Sequence, residues 1–335
     1  MPEIGVPGAG GWRDLKLAEA LNEALAEEMA RDPRVFIMGE DVSVLGGIYT
    51  VTRGLRDRFG AERVRDTPVS EAAIVGVGIG AAAAGMRPVV ELMYMDFCAL
   101  SMDQIVNHAA KFRYMYGGGK AKIPMVIRTQ VGYGRGVGAQ HSQSLEAWFA
   151  HIPGLKVVIP SNAHDAKGLL KSAIRDDNPV LFVEHTMLYF KTTPVPSAEY
   201  TVPLGAARTV RSGEAATVVC YGLMVERCLE AAEILARDFG EVEVIDLRTI
   251  APLDVDTIVE SVKKTNRLVI VHQAYRTAGM AGEIAMAVME RAFYHLDAPI
   301  QRAAGADAPI PFNRSLEAIA VPRTEDIVRA VRATA

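Results

Sequence analysis

Two side chains stand in settings where each could move a proton. Glu71 lies in Asp66-Thr67-Pro68-Val69-Ser70-Glu71-Ala72-Ala73-Ile74. Pro68 and Ser70 read as the end of a strand and the start of a helix, with Ser70 as its N-cap. The residues after Glu71 are apolar or glycine. Burial among them would desolvate the carboxyl group and raise its pKa, which suits an acid catalyst near neutrality. Glu71 could equally do no more than complement the helix dipole. His141 follows the loop Gly132-Tyr133-Gly134-Arg135-Gly136-Val137-Gly138 and leads into Ser142-Gln143-Ser144. Such a loop can line a site and set His141 at the mouth of a cleft. It can also be a mobile surface loop to which Arg135 adds one positive charge. From the residues alone both readings stay open.

Other chemistries lack their motifs. Gly76-Val77-Gly78-Ile79-Gly80 is not spaced as a dinucleotide-binding turn and falls inside a helix. Gly76 and Gly80, with Ala84, instead predict a smooth face for close helix packing. There is no Walker A sequence, and no Gly-x-Ser-x-Gly elbow for a nucleophilic hydrolase. Cys98, Cys220 and Cys228 form no CxxC pair and have no histidine at metal-ligand spacing. They read as buried small side chains in a reducing cytosol. The net charge of −4 comes without a polybasic run, so nucleic acid is not an expected partner. No signal-peptide pattern opens the chain and no apolar run is long enough to span a bilayer. A cytoplasmic location is the expectation.

The elements that must position these residues follow from periodicity. The 335 residues, half of them hydrophobic, suggest two domains. Residues 1–13 are expected as a disordered tail. Leu17, Leu21, Leu25 and Met29 then recur at helical spacing, and Val35–Met38 reads as a buried strand. Further strands are expected at Val89–Met93, Met125–Thr129, Lys156–Ile159 and Val180–Glu184. Helices are expected at Glu71–Gly85, Met102–Tyr116, Leu145–Ile152 and Ala163–Arg175. Continuous apolar strands separated by helices imply α/β architecture, a parallel sheet covered on both faces. This first domain spans 14–190. Residues 191–204 carry Pro194, Pro196 and Pro203 without periodicity and read as a linker. A smaller α/β domain fills 205–335. Its expected strands are Thr217–Cys220, Val242–Asp246 and Leu268–Val271. Its expected helices are Val225–Arg237, Asp254–Lys264, Gly279–His295 and Asp326–Arg332.

Several separated segments together carry a family resemblance. Met38-Gly39-Glu40-Asp41, then Asp66 to Glu71, then Ala139-Gln140-His141-Ser142-Gln143 resemble the β subunits of the first (E1) components of 2-oxo acid dehydrogenases. So do Pro153-Gly154-Leu155-Lys156-Val157-Val158 and Asp165-Ala166-Lys167-Gly168-Leu169. Glu91-Leu92-Met93 and Ala110-Lys111-Phe112-Arg113-Tyr114-Met115-Tyr116-Gly117-Gly118 are most similar to the acetoin dehydrogenase β subunits, with pyruvate and branched-chain enzymes close alternatives.

The resemblance implies a pyrimidine-binding, transketolase-like domain followed by a transketolase-type C-terminal domain. It further implies an α2β2 assembly with thiamine diphosphate at the α–β interface and a lipoyl-bearing E2 acyltransferase as acceptor. Glu71 then corresponds to the carboxyl group at N1′ of the aminopyrimidine, and Phe97 to the aromatic ring stacked on it. Leu92 falls in a cofactor-lining segment. His141 corresponds to the histidine that assists proton transfer or receives the lipoyl group. The family holds diphosphate and Mg²⁺ on a Gly-Asp-Gly motif of the other chain, and this sequence contains none. Some members bind a structural K⁺ at positions matching Met125, Ala173, Ile174, Asp176 and Asn178. The rival readings are a non-catalytic assembly subunit, a single-chain transketolase-like enzyme, and a flavin- or NAD-dependent dehydrogenase.

Overall fold

Strands buried at every residue need cover on both faces, and Val35–Gly39, Val126–Val131 and Val180–His185 are such strands. The structure, a computed structural model, describes residues 11–117 and 121–335, which divide into two compact units. Most of the expected tail (Met1 to Gly10) and Gly118 of the resemblance lie outside the described residues.

One unit runs up to Val131 and adds Trp148–Leu204. Its strands are β1 (Trp12–Lys16), β2 (Val35–Gly39), β3 (Val64–Asp66), β4 (Arg87–Leu92), β5 (Val126–Val131), β6 (Lys156–Val158), β7 (Val180–His185) and β8 (Thr192–Pro196). Strands β6-β7-β5-β4-β2-β3 lie side by side in that order, every pair parallel. Helix Leu17–Arg31 packs against helix Ala163–Arg175. Between them the buried Lys167 reaches Glu23 and Glu27 at 3.0 and 2.6 Å, and Lys171 reaches Glu27 at 2.6 Å.

Three expectations need correction here. Residues 191–204 are not simply a linker, because β8 pairs antiparallel with β1. Trp12 and Arg13, expected in the tail, belong to that ribbon. Its prolines, Pro194 and Pro196, sit in an isolated two-stranded ribbon where a missing N–H is tolerated. The expected helix Met102–Tyr116 is instead a π-helical stretch at Asp103–Ala109 running into an α-helix at Ala110–Met115, and a 3₁₀ turn at Met95–Ser101 precedes it.

The other unit comprises Gly205–Ala335 together with Gly132–Ala147, the glycine loop and its sequel. Its strands are β9 (Arg208–Arg211), β10 (Ala216–Cys220), β11 (Val242–Asp246), β12 (Thr249–Ala251), β13 (Leu268–Tyr275) and β14 (Gln301–Gly305). The sheet order is β14-β13-β10-β11-β9, parallel except that β9 runs antiparallel to β11. The edge strands β9 and β14 are only partly buried, so they lack the apolar runs that announce β10, β11 and β13. Helices Met224–Leu235, Val255–Thr265, Met280–Ala292 and Thr324–Arg332 stand close to their expected places. All three cysteines are buried and free.

Candidate active site

The ends of β2 and β3 create the setting of Glu71. Gly39 stands opposite Asp66, and Thr67 N–H donates to the Gly39 carbonyl at 2.9 Å. Ser70 then occupies the N-cap position, but its hydroxyl makes no capping bond, contrary to expectation. Helix Glu71–Ala83 buries Glu71, Ile74, Val75, Gly78, Ile79 and Ala82, a stripe at helical spacing. The glycine that permits close packing is Gly78 rather than Gly76 or Gly80. A Cβ on Gly78 would stand 2.9 Å from Val90 and 3.1 Å from Met125, whereas Gly80 faces open space. Ala73, Val77, Gly80 and Ala84 form an exposed, smooth face on the other side of the segment.

Glu71 is only 7% exposed, and its carboxylate has no hydrogen bond or ion pair among the described residues. Glu40, directly after β2, carries the same charge. Its Oε1 is buried without a hydrogen-bond partner among the described residues. Burial, then the charges of Glu71 and Asp41, push the Glu40 carboxyl above the ordinary glutamate range. A buried carboxylate left unpaired is costly, so this corner fits an incoming N–H donor. The 3₁₀ turn Met95–Ser101, which carries half-buried Phe97, packs against the same helix. Neighbouring Cys98 is pushed up to about 12 by burial, with Asp96 and Glu71 adding to the rise. Glu71 and the Phe97 segment therefore share one neighbourhood.

His141 belongs to the other unit. Gly132, Gly134, Gly136 and Gly138 all adopt positive φ, the region that glycine alone enters freely. The loop they form is tied down. Gly134 N–H and Gly136 N–H donate to the carboxylate of Glu317 at 2.7 and 3.1 Å. Arg135, which the sequence offered only as one positive charge on this loop, donates to the His141 carbonyl at 3.2 Å.

Comparison with known proteins decides the family. Residues 13–191 match the transketolase pyrimidine-binding domain and residues 205–327 the transketolase C-terminal domain. The chain is 49% identical over 318 residues to the pyruvate dehydrogenase E1 component subunit beta of Rickettsia felis, covering 95% of this chain and 97% of that protein. It is 48% identical over 332 residues to the acetoin:2,6-dichlorophenolindophenol oxidoreductase subunit beta of Cupriavidus necator, covering 96% and 98%. This chain belongs to the E1 β-subunit family. Among solved structures, a split-gene transketolase described as an inactive beta4 tetramer shares the fold of this E1 β subunit. Its TM-score is 0.78 at 21% identity, covering 96% of this chain and 98% of that one.

The remaining expected residues of this E1 β subunit divide. Leu92 presents no accessible surface, because it closes β4 and its carbonyl accepts from Thr129 Oγ1 at 2.9 Å. The carbonyls expected around a potassium ion already accept hydrogen bonds. Met125 takes Val180 N–H and Ala173 takes Asp176 N–H. Ile174 and Asp176 share Arg87 Nη1 at 2.9 Å each. Asn178 donates from its side chain to Asp176 at 2.8 Å.

Sequence reading missed a buried ionic network across strands β4, β5 and β7. Arg128 on β5 is 0% exposed. Its Nε and Nη2 reach both oxygens of Glu184 at 2.7 Å, and Nη1 reaches Glu91 at 2.5 Å. Gln130 and Tyr189 donate to the same two carboxylates at 3.1 and 2.6 Å. Burial disfavours the guanidinium charge, but Glu184 and Glu91 outweigh it and hold Arg128 above its ordinary pKa. The signal was present as three charges interrupting three apolar strands. A charge inside a buried strand requires a partner on its neighbour.

Proposed function

We propose that this chain is the β subunit of a thiamine-diphosphate-dependent E1 dehydrogenase that cleaves acetoin, or decarboxylates a 2-oxo acid, and passes the product to a lipoyl group. The observation that carries this reading is Glu71, only 7% exposed, whose carboxylate has no hydrogen bond or ion pair among the described residues. When bound, thiamine diphosphate supplies a carbon nucleophile that adds to the substrate carbonyl and takes up the electron pair of the breaking carbon–carbon bond. Glu71 holds a proton at N1′ of the pyrimidine. Phe97 offers a flat apolar face that excludes water from that ring. His141 moves a proton at the substrate oxygen or at the arriving lipoyl sulfur.

An α-type partner holds the diphosphate and Mg²⁺, since this sequence has no Gly-Asp-Gly. The exposed face of Ala73, Val77 and Gly80 supports a second chain next to Glu71, Val77 being 59% exposed. A pyruvate substrate is the second reading, because relatives of both names match equally well.

Co-expression with the α-type chain tests the proposal. Dye reduction should require both chains, thiamine diphosphate and Mg²⁺, and be fastest with acetoin among acetoin, pyruvate and a branched-chain 2-oxo acid. A stable complex inactive on all three would shift the reading to an assembly subunit. Potassium at Met125, Ala173, Ile174, Asp176 and Asn178 is a subsidiary part of the proposal, supported by carbonyls that each keep a second lone pair. K⁺ should raise the melting temperature more than Na⁺ at equal ionic strength, and equal effects would remove the site.

A further inference from the structure

We infer that Glu317 is a positioning residue for His141, acting through Arg135; this rests on the site role proposed for His141. Glu317 lies in helix Arg314–Ile319 and is 1% exposed. Its two oxygens accept from Gly134 N–H at 2.7 Å and Gly136 N–H at 3.1 Å. A carboxylate gripping two amides is a charge-assisted, two-point contact that fixes direction as well as distance. The amides flank Arg135, so its backbone is held from both sides. Arg135 Nη2 in turn donates to the His141 carbonyl at 3.2 Å.

The carboxylate is itself anchored. Asn313 Oδ1 accepts from Ser315 N–H and Leu316 N–H at 3.0 and 3.2 Å, which sets the turn that aims Glu317. Preceding it, Phe312 lies across Gly138, where a Cβ would stand 2.4 Å from the ring. Beyond His141 the segment is pinned again. Gln273 donates to Ser144 Oγ at 2.5 Å, and Tyr221 donates to Glu146 at 3.0 Å. Four positive-φ glycines would otherwise leave this stretch with wide backbone freedom. The anchors on either side turn a floppy loop into a support for one imidazole. That support matters because a misplacement of about 1 Å costs a proton-moving group on the order of 100-fold in rate.

The test is a double-mutant cycle in the complex with the α-type chain, with hydrogen exchange read on the same proteins. Glu317→Ala should lower kcat by about 10- to 100-fold and leave the KM for thiamine diphosphate unchanged. The double variant Glu317→Ala/His141→Ala should be no slower than His141→Ala, because both changes remove one function. Glu317→Gln keeps one acceptor, so it should lose less and carries the cycle if the alanine variant fails to fold. Amides of residues 132–147 should exchange faster in both Glu317 variants, with the rest of the unit unchanged. Losses that multiply in the double variant, or an unchanged exchange pattern, would overturn the inference. A wild-type complex without thiamine-dependent turnover would overturn the proposed function, and with it the catalytic purpose of the clamp. Loop exchange would still show in that case whether Glu317 holds the loop.

Discussion

Glu71→Gln and Glu71→Ala should each lower thiamine-dependent turnover by about 10²- to 10⁴-fold, the range of a lost acid–base group, without impairing subunit assembly. Glutamine keeps the shape of glutamate but can neither hold nor release a proton at the pyrimidine nitrogen. The separation from folding follows from the site itself. Glu71 is buried, accepts no hydrogen bond among the described residues and faces the like charge of Glu40. Removing its charge relieves the repulsion with Glu40 and breaks no bond among the described residues, so the melting temperature of Glu71→Gln should equal or exceed that of the parent. Steady-state dye reduction and thermal melting on the same preparations measure both. Near-normal turnover would remove Glu71 from the chemistry. Lost turnover with a collapsed melting temperature would make it a structural residue instead.

Arg128→Met should destabilise the N-terminal unit by about 3–5 kcal/mol, the cost of stripping one partner from a buried ion pair. Two carboxylates, Glu91 and Glu184, would be left facing each other without a cation. The Glu184 carboxyl, which burial already raises, would then rise further above its value in the unfolded chain. A group with a raised pKa contributes most when protonated, and that contribution is lost as pH rises through the raised value. The deficit of the variant should therefore be smaller at about pH 5 than at about pH 8. Replacing Arg128, Glu91 and Glu184 together by apolar residues of similar volume should recover most of the loss. Urea unfolding at the two pH values reads all of this. A deficit below about 1 kcal/mol, typical of an exposed pair, would show that water reaches the network.

The strands and helices that frame Glu71 were legible because their signal is local. An unbroken apolar run such as Val180–Val183, or apolar residues at helical spacing from Leu17 to Met29, declares its element within a few residues. Family likeness added Phe97 and His141, which spacing alone left open. Local windows failed where the partner is remote. The β1–β8 ribbon joins the two ends of a domain, and its prolines disguised it as a linker. Helix Glu71–Ala83 is apolar around its whole circumference, so no sequence pattern could say that Gly78, rather than Gly76 or Gly80, meets the sheet.

The sequence by itself determined the alternation of strand and helix and the family, and it offered Glu71 as a candidate for acid–base work beside a plain helix-dipole role. Only the tertiary structure decided that Glu71 has no partner among the described residues, that Arg128 gathers Glu91 and Glu184, and that Glu317 grips amides 183 and 181 positions away. Secondary structure repeats along the chain and so leaves a period to read. A pairing between distant polar groups has no period, and it becomes visible only when folding brings the two ends of the hydrogen bond together.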